Sequence, residues 1–459
     1  MKLLFVENRY ATWLMEAVAR KLCTDGHSIH WIVQNPTFKP KFGKVYVIPF
    51  PCRGASLTGD GWTEVYRRVA SSDRQVQYFG GGHSHYPHYV AHLGSILDVV
   101  CPDVVFGEST QFYELLTVEW CRRRHIPYLF PVTIGYPPGR MCFLAYDTRT
   151  PIGGDGSRFS NAQGIELIDL INTRRRLPTY MDAPRIGSIA RHCRTASDRA
   201  RVLVGWLKGE RFATPSPMRK LAVEWRHRQA RRLWDLAAVN RPSDGRPYVL
   251  YALQVQPECA IDVWGWPWRD QGKIIERAAK TLEPRGIVLV VKPNPRSKYE
   301  ISTYLLEVLR RQENVRPIAH CVSMREVFPQ SIAVLGVTGS VLLEGVFAGK
   351  ESFSVGAGAL SGYPGISCIA TPEDLVRVLD GSSDWPRRNA RNGALELINW
   401  LSAASYPGDI FEPLFDGAKL VRGATVDQIV AAFRDIVARL DSGSVSVDPE
   451  IGRSAAQVS

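Results

Sequence analysis

The sequence predicts an α/β protein built from two doubly wound domains facing each other across a central cleft. Three observations predict it. Short apolar runs alternate with helical patterns over residues 1–150, the same alternation starts afresh near residue 247 and runs to 385, and the stretch between, 151–246, is polar and Arg-rich. Strand–helix alternation implies a parallel sheet with helices on both faces. A chain of 459 residues is long enough to bury two cores.

The elements follow in order. Leu3–Val6 reads as the first strand; Glu7, Asn8 and Arg9 end its apolar run too early for a secretory leader. Thr12–Leu22 reads as a helix, with Leu14, Val18 and Leu22 on one face and Asp25-Gly26 as its stop. Strands at Ile29–Val33, Val45–Pro49, Asp103–Phe106 and Ile126–Val132, with helices ending at Val100 and covering Phe112–Arg123, complete the N-terminal, acceptor-side domain 1–150. Residues 151–246 read as a partly helical insertion and connection, with Gly153-Gly154-Asp155-Gly156 as a loop. In 247–385, strands are expected at Tyr248–Gln254, Ile287–Lys292, Val315–Ile318, Ile332–Val337 and Ser352–Val355. Helices fall between them at 270–283, 299–312, 323–329, 340–349 and 372–379. Two further helices in 386–440 are expected to pack back on the first domain, and 441–459, rich in Ser, Gly, Val and Ala, to be disordered.

Composition narrows the function. No run approaches the ~18 apolar residues of a membrane span, so a cytoplasmic location is expected. The net charge of +12 suits an anionic partner. Much of the excess lies in Arg174-Arg175-Arg176, Arg226, Arg228, Arg231 and Arg232. These could form a solvated helical face; docking on anionic lipid headgroups, at the inner face of the membrane, is the preferred reading. No zinc-finger, RRM or KH signature accompanies the charge, so no nucleic-acid partner is expected. Nine cysteines without C-x-x-C spacing argue against a disulfide framework and a cysteine zinc site.

Several constellations could carry chemistry. In Val337-Thr338-Gly339-Ser340-Val341-Leu342-Leu343-Glu344, a buried strand runs into a small polar turn and a helix. That turn offers amides and hydroxyls at a helix N-terminus, a setting for phosphate, with Glu344 placed to accept from ribose hydroxyls. An ordinary N-cap is the alternative, and without the Walker lysine it is no P-loop. Lys292-Pro293-Asn294-Pro295-Arg296 leaves a very apolar strand stiffly, which would fix Lys292, Asn294 and Arg296 for a leaving phosphate. Gln254, Gln256 and Glu258 alternate after a strand and would line one side of a ligand edge. Phe106-Gly107-Glu108-Ser109-Thr110 offers Glu108 as the base that deprotonates an acceptor hydroxyl; helix capping by its hydroxyls is the alternative. Gly80-Gly81-Gly82-His83-Ser84-His85-Tyr86-Pro87-His88-Tyr89-Val90-Ala91-His92 reads as a loop over substrate, with His83 or His85 as an alternative base; His88 and His92 would be one turn apart on a helix. No acid or Cys accompanies these histidines, so no metal is expected. Arg140, after Tyr136-Pro137-Pro138-Gly139, could face an anionic acceptor or lie on the surface.

The second half resembles the capsule polysaccharide biosynthesis family. The resemblance rests on Leu253-Gln254-Val255-Gln256-Pro257-Glu258, Lys292-Pro293-Asn294-Pro295 and Thr338-Gly339-Ser340 with Glu344, in that order over about 248–380. That family is similar to GT-B glycosyltransferases, including bacterial β-Kdo transferases. The resemblance implies a GT-B-like fold and transfer of a sugar from a nucleotide-sugar donor to a saccharide or lipid-linked saccharide in surface polysaccharide biosynthesis. It implies no cofactor, the nucleotide-sugar being a co-substrate. It places Lys292, Asn294, Pro295 and Arg296 on the nucleotide-phosphate element, and Thr338, Ser340 and Glu344 on the phosphate and ribose element. The sequence departs from the family in having Asn294 where a His is expected, and Asn carries no proton near neutral pH. Two alternatives stand beside transfer: a non-hydrolysing nucleotide-sugar epimerase, and a non-catalytic subunit of a polysaccharide assembly or export complex.

Overall fold

The computed structural model describes residues 1–51, 61–178, 181, 188–242, 244–356, 358–376, 390–410 and 424–452. The chain forms two α/β units. Unit 1 comprises Met1–Ser157, Leu177–Pro217 and Leu401–Ile451; unit 2 is built chiefly of Arg158–Arg176 and Met218–Trp400. The stretch 151–246 is thus not a single connecting piece but is shared between the two.

Unit 1 begins with five parallel strands, β1 (Lys2–Val6), β2 (Ser28–Val33), β3 (Lys44–Val47), β4 (Val104–Phe106) and β5 (Tyr128–Thr133), in the spatial order β3-β2-β1-β4-β5. Phe5 stands opposite both Trp31 and Phe106. The sequence reading has no strand between Val132 and Tyr248. The structure adds β6 (Arg140–Ala145), antiparallel to β5, and β7 (Pro151–Ile152) on β6. The Tyr136–Gly139 turn is tight enough to fold β6 straight back, where Met141–Ala145 are all buried.

In unit 2, β8 (Tyr248–Ala252), β9 (Val288–Lys292), β10 (Val315–Pro317), β11 (Ala333–Gly336), β12 (Glu351–Val355) and β13 (Ile366–Ile369) are all parallel, in the order β10-β9-β8-β11-β12-β13. This is the full doubly wound order. The strands are apolar nearly throughout because both faces are covered. Leu289, Val291, Leu335 and Phe353 pack with Ile274, Ile275, Leu282 and Leu305 from flanking helices, all fully buried. Each such side chain contributes roughly 1.5–3 kcal/mol.

The chain then returns to unit 1. β14 (Tyr406–Pro407) pairs antiparallel with β6, and the helix Ala424–Asp441 carries Phe433, fully buried, to within 4.9 Å of the Phe106 and Phe143 rings. Residues 377–379 of the expected 372–379 helix, and 386–389 and 411–423, lie outside the described residues; Pro372–Asp374 is a single 3₁₀ turn. The expected disorder of 441–459 is corrected for 442–452. Buried Arg122 donates to the carbonyls of Pro449 and Ile451 and ties that stretch down. No helix among the described residues is long and apolar enough to cross a membrane.

Each sheet has one place where winding reverses: between β1 and β4 in unit 1, and between β8 and β11 in unit 2. Ligands of open α/β sheets bind outside the carboxyl ends of the strands at such a point.

Candidate functional site

In unit 2 the reversal point is assembled by Gln254, two residues past β8. Its Oε1 accepts from the amides of Val337 and Thr338 at 3.3 and 3.1 Å, and its Nε2 donates to Thr338 Oγ1 at 2.9 Å. Thr338 Oγ1 donates in turn to the Ala260 carbonyl, and buried Ser354 donates to the Val337 carbonyl at 2.6 Å. The Thr338-Gly339 turn is therefore rigid. It delivers the chain into the helix Ser340–Phe347, capped by Gly339 in extended conformation. The first amides of a helix lack intrahelical acceptors and carry partial positive charge. Ser340 and Gly339 are half-buried at that end. A Cβ on Gly339 would come no closer than 3.5 Å to Gln254, so the position is open on its outer side.

Thr338 itself is 2% exposed and wholly engaged in this brace. Glu344, 8% exposed, is held by Arg174 at 2.7 Å. That partner comes from the 158–176 segment of unit 2, and nothing in the sequence links the two. Arg174 adopts a left-handed φ of 54°, and its carbonyl accepts from Arg325 at 3.3 Å.

The Lys292–Arg296 loop leaves β9, the strand beside β8, and the Lys292 carbonyl accepts from the Leu253 amide at 2.9 Å. It thus sits two strand spacings, about 10 Å, from the Thr338 turn. Lys292 is buried, and its Nζ donates to the Pro293 and His320 carbonyls at 2.9 and 3.3 Å. Burial lowers its pKa to about 8. It shapes the loop from inside, whereas Arg296 stands exposed at the loop's tip. Asn294 Oδ1 accepts from the Arg296 amide at 2.8 Å, and its carbonyl accepts from Ser297. A residue that sequence reasoning missed lies against this loop. His320, following β10, is bonded through Nδ1 to Asp235 at 2.8 Å and through Nε2 to Ser297 at 3.1 Å. No local motif signals it, because Asp235, Ser297 and His320 come from three separate elements.

The other residues of the β8 exit diverge. Gln256 is buried, its amide bonded to Asp262, Gln271 and the Arg269 carbonyl. Glu258 is exposed and precedes the short helix Cys259–Asp262. Alternation puts the two on one side only while the chain stays extended, and it stops being a strand at Ala252.

In unit 1 the reversal point gathers more carboxyls than the sequence suggests. Glu7, at the end of β1, is fully buried and accepts from the amides of Gln34 and Asn35 at 3.2 and 2.9 Å. Burial raises its pKa to about 7 against these bonds. Glu114, also buried, accepts from Asn8, Thr110 and the Gln111 amide at 2.8–3.0 Å. Glu108 is half-buried and bonds Thr110 at 3.5 Å. Burial first, and the Glu114 carboxylate second, raise its pKa to about 8. Glu210, fully buried, accepts from Gln34 at 3.0 Å and from the Ala213 amide at 2.8 Å. Glu7, Asn8 and Arg9 look in sequence like the mere end of an apolar run; their importance comes from the strand end they occupy.

The histidines of 83–92 and Arg140 stand differently. His85 is buried among Tyr86, Tyr89, Phe112 and Phe212; burial lowers its pKa to about 3, so it is neutral. His83 is exposed beside Tyr86. His88 and His92 lie on the helix Tyr86–Val100, and no group of metal-ligating side chains occurs among the described residues. Arg140 is spent within unit 1: it donates to Asp155 at 2.6 Å, to Ser405 Oγ at 2.8 Å and to the Ser402 and Ser405 carbonyls.

No protein-family model matches the chain, and no curated protein matches it in sequence. Among solved structures it is similar to UDP-GlcNAc 2-epimerase from Neisseria meningitidis bound to UDP-GlcNAc, at 11% identity over 88% of this chain and 97% of that one, with a TM-score of 0.26. It is also similar to a glycosyltransferase from Rickettsia africae, at 9% identity over 96% and 98% of the two chains and a TM-score of 0.29. A third is MurG from Acinetobacter baumannii, at 12% identity over 86% and 94% and a TM-score of 0.26.

Proposed function

We propose that the protein is a glycosyltransferase that moves a sugar from a nucleotide-sugar to a saccharide or lipid-linked saccharide acceptor of a surface polysaccharide. The observation that carries the reading is the braced turn at the winding reversal of unit 2. There Gln254 locks Thr338-Gly339 so that a helix N-terminus is presented at the carboxyl edge of the sheet.

The donor's phosphates would take the amides and hydroxyl of Gly339 and Ser340, with the exposed guanidinium of Arg296 from the neighbouring loop adding charge. Glu344, oriented by Arg174, would accept from the ribose. As the sugar's bond to phosphate breaks, charge grows on the leaving oxygens, and fixed donors there stabilise it without rearrangement. Lys292 and Asn294 hold the loop's shape, so the absence of a protonating side chain at 294 does not remove the positive end of the site. In unit 1, Glu108 is the base for the acceptor hydroxyl; burial raises its pKa to about 8, so the carboxylate is a strong proton acceptor and transfer should rise with pH as the carboxyl ionises.

A thermal-shift screen against CDP-, CMP-, UDP-, GDP- and dTDP-linked ligands tests the reading. One nucleotide class should raise the melting temperature, and Ser340→Ala or Arg296→Ala should remove that shift. An undiminished shift in both variants places the donor elsewhere. Turnover of a nucleotide-sugar with no acceptor present would point to epimerisation instead.

A further inference from the structure

The helix Pro217–Ala237 in unit 2 has two apolar faces, and only one is used. Its inner face packs Val223 and Trp234 into the unit, with Trp234 Nε1 donating to the Ile318 carbonyl at 2.9 Å. On the opposite face Met218 is 77% exposed, Leu221 61%, Trp225 60% and Leu236 82%. At 100° per residue these positions share one outward face: Met218, Leu221 and Trp225 form an apolar patch in the first half of the helix, and Arg228 and Arg232 occupy the same face before Leu236. Exposed large side chains of this kind gathered on one helix face mark an interaction surface.

The helix is strongly cationic. Arg219, Lys220, Arg226, Arg228, Arg231 and Arg232 lie on this helix against only Glu224 and Asp235. Both acids have partners: Lys220 stands 4.0 Å from Glu224, and His320 is bonded to Asp235. Near the helix's C-terminal end, a cavity of about 260 Å³ is lined by Leu233, Ala237, Leu306 and Leu309 together with Arg310 and Arg316.

We propose that this outward face of Pro217–Ala237 is the surface by which the protein docks on an anionic lipid bilayer. Met218, Leu221, Trp225 and Leu236 enter the interface, and Arg228 and Arg232 on the same face meet lipid phosphates. A basic helix with Trp and Leu on one face lies in the plane of an interface in this way, and each cation near an anionic leaflet adds to the attraction. Charge complementarity selects this occupant over a second copy of the chain. An isologous pairing of this face would set Arg228 and Arg232 against their own copies. The assignment does not depend on the nucleotide-sugar chemistry. It does bear on it, since the same helix supplies Asp235, which orients His320 beside the Lys292–Arg296 loop.

The test is co-sedimentation of the full chain with vesicles of phosphatidylcholine alone and of phosphatidylcholine with phosphatidylglycerol. Binding is expected only with phosphatidylglycerol, and weakening as salt rises. Leu221→Glu with Trp225→Glu should abolish it, and Arg226→Glu with Arg228→Glu should reduce it at least tenfold. All four positions are exposed, so melting temperatures should stay near that of the parent chain. Equal binding to both vesicle types, or undiminished binding by either double variant, overturns the proposal. So does absence of vesicle binding in a parent chain that sediments as a dimer and becomes monomeric on Leu221→Glu.

Discussion

Removing Arg174 should loosen the candidate donor site from beneath. Its guanidinium lies 2.7 Å from Glu344, with side-chain exposures of 16% and 10%. Breaking a fully buried pair by deleting one partner costs about 3–5 kcal/mol, because the other charge stays buried without compensation. Here residual solvent access reduces that, and about 2 kcal/mol is expected for Arg174→Ala. Glu344→Ala alone leaves an arginine that can swing to water, so it should cost less. The double variant should then cost no more than Arg174→Ala, giving a coupling of about 1–2 kcal/mol. Because the chain has two units, whole-molecule melting is a blunt readout. Hydrogen exchange of the helix Ser340–Phe347 reports unit 2 directly. A further variant separates the charge from the backbone: Arg174 sits at φ 54°, where glycine is unstrained, so Arg174→Gly should exceed Arg174→Ala in stability by about 1 kcal/mol. If the two single variants add within ~0.5 kcal/mol, Arg174 does not hold Glu344 and the positioning argument fails.

Three other outcomes follow from the geometry. Phe433→Ala, which empties a fully buried site between Phe5, Phe106 and Phe143, should cost about 3–5 kcal/mol and appear as lost exchange protection in β1 and β4. Glu7 and Glu108 have folded pKa values raised from 4.5 to about 7 and about 8. The native state therefore holds protons that the unfolded chain has released, and their contribution to stability is full below pH 4.5 and lost as pH rises through about 7–8; Glu108→Gln should flatten the urea-midpoint profile across that window and abolish transfer, and an unchanged profile counts against the raised carboxyl. Gly339→Ala should leave stability within ~0.5 kcal/mol, since its Cβ meets only ordinary contacts; it should still weaken nucleotide binding in titration calorimetry, and full affinity would mean that no phosphate approaches that turn.

The strands of both parallel sheets were legible because parallel strands are buried on both faces and read as continuous apolar runs. Val288–Lys292 and Ala333–Gly336 lie within the stretches their sequences mark. β6, β7, β13 and β14 were not. Each is short or follows a tight turn, so pairing geometry defines it and pattern does not. The same division holds at the site. Gln254, Thr338 and Ser340 are legible because each lies just beyond an obvious strand, and parallel strands emerge at a common edge. What they do there is another matter. Thr338 and Lys292 look in sequence like ligand contacts, yet their polar atoms are taken up by Ala260, Pro293 and His320. Polar groups drawn into a low-dielectric edge must first satisfy the backbone around them, and only the folded chain shows which are left to meet a ligand.

That distinction also explains why the missed residues are all long-range. Arg174 pairs with Glu344 across 170 residues, His320 with Asp235 across 85, and Glu7 with Asn35 across 28. None is part of a local motif: Arg174 holds the motif carboxylate Glu344, His320 bonds Ser297 beside the Lys292–Arg296 loop, and Glu7 ties the Gln34 and Asn35 amides to the end of β1. Where a motif residue is already bonded within its own turn, as Asn294 is, its chemical identity bears chiefly on loop shape. Where it depends on a distant partner, as Glu344 does, its role depends on that partner. The consequence for this chain is that Asn294 matters chiefly for the shape of its own loop, whereas loss of Arg174 or Gln254 would disturb the Thr338-Gly339 turn and Glu344, which those two side chains hold in place.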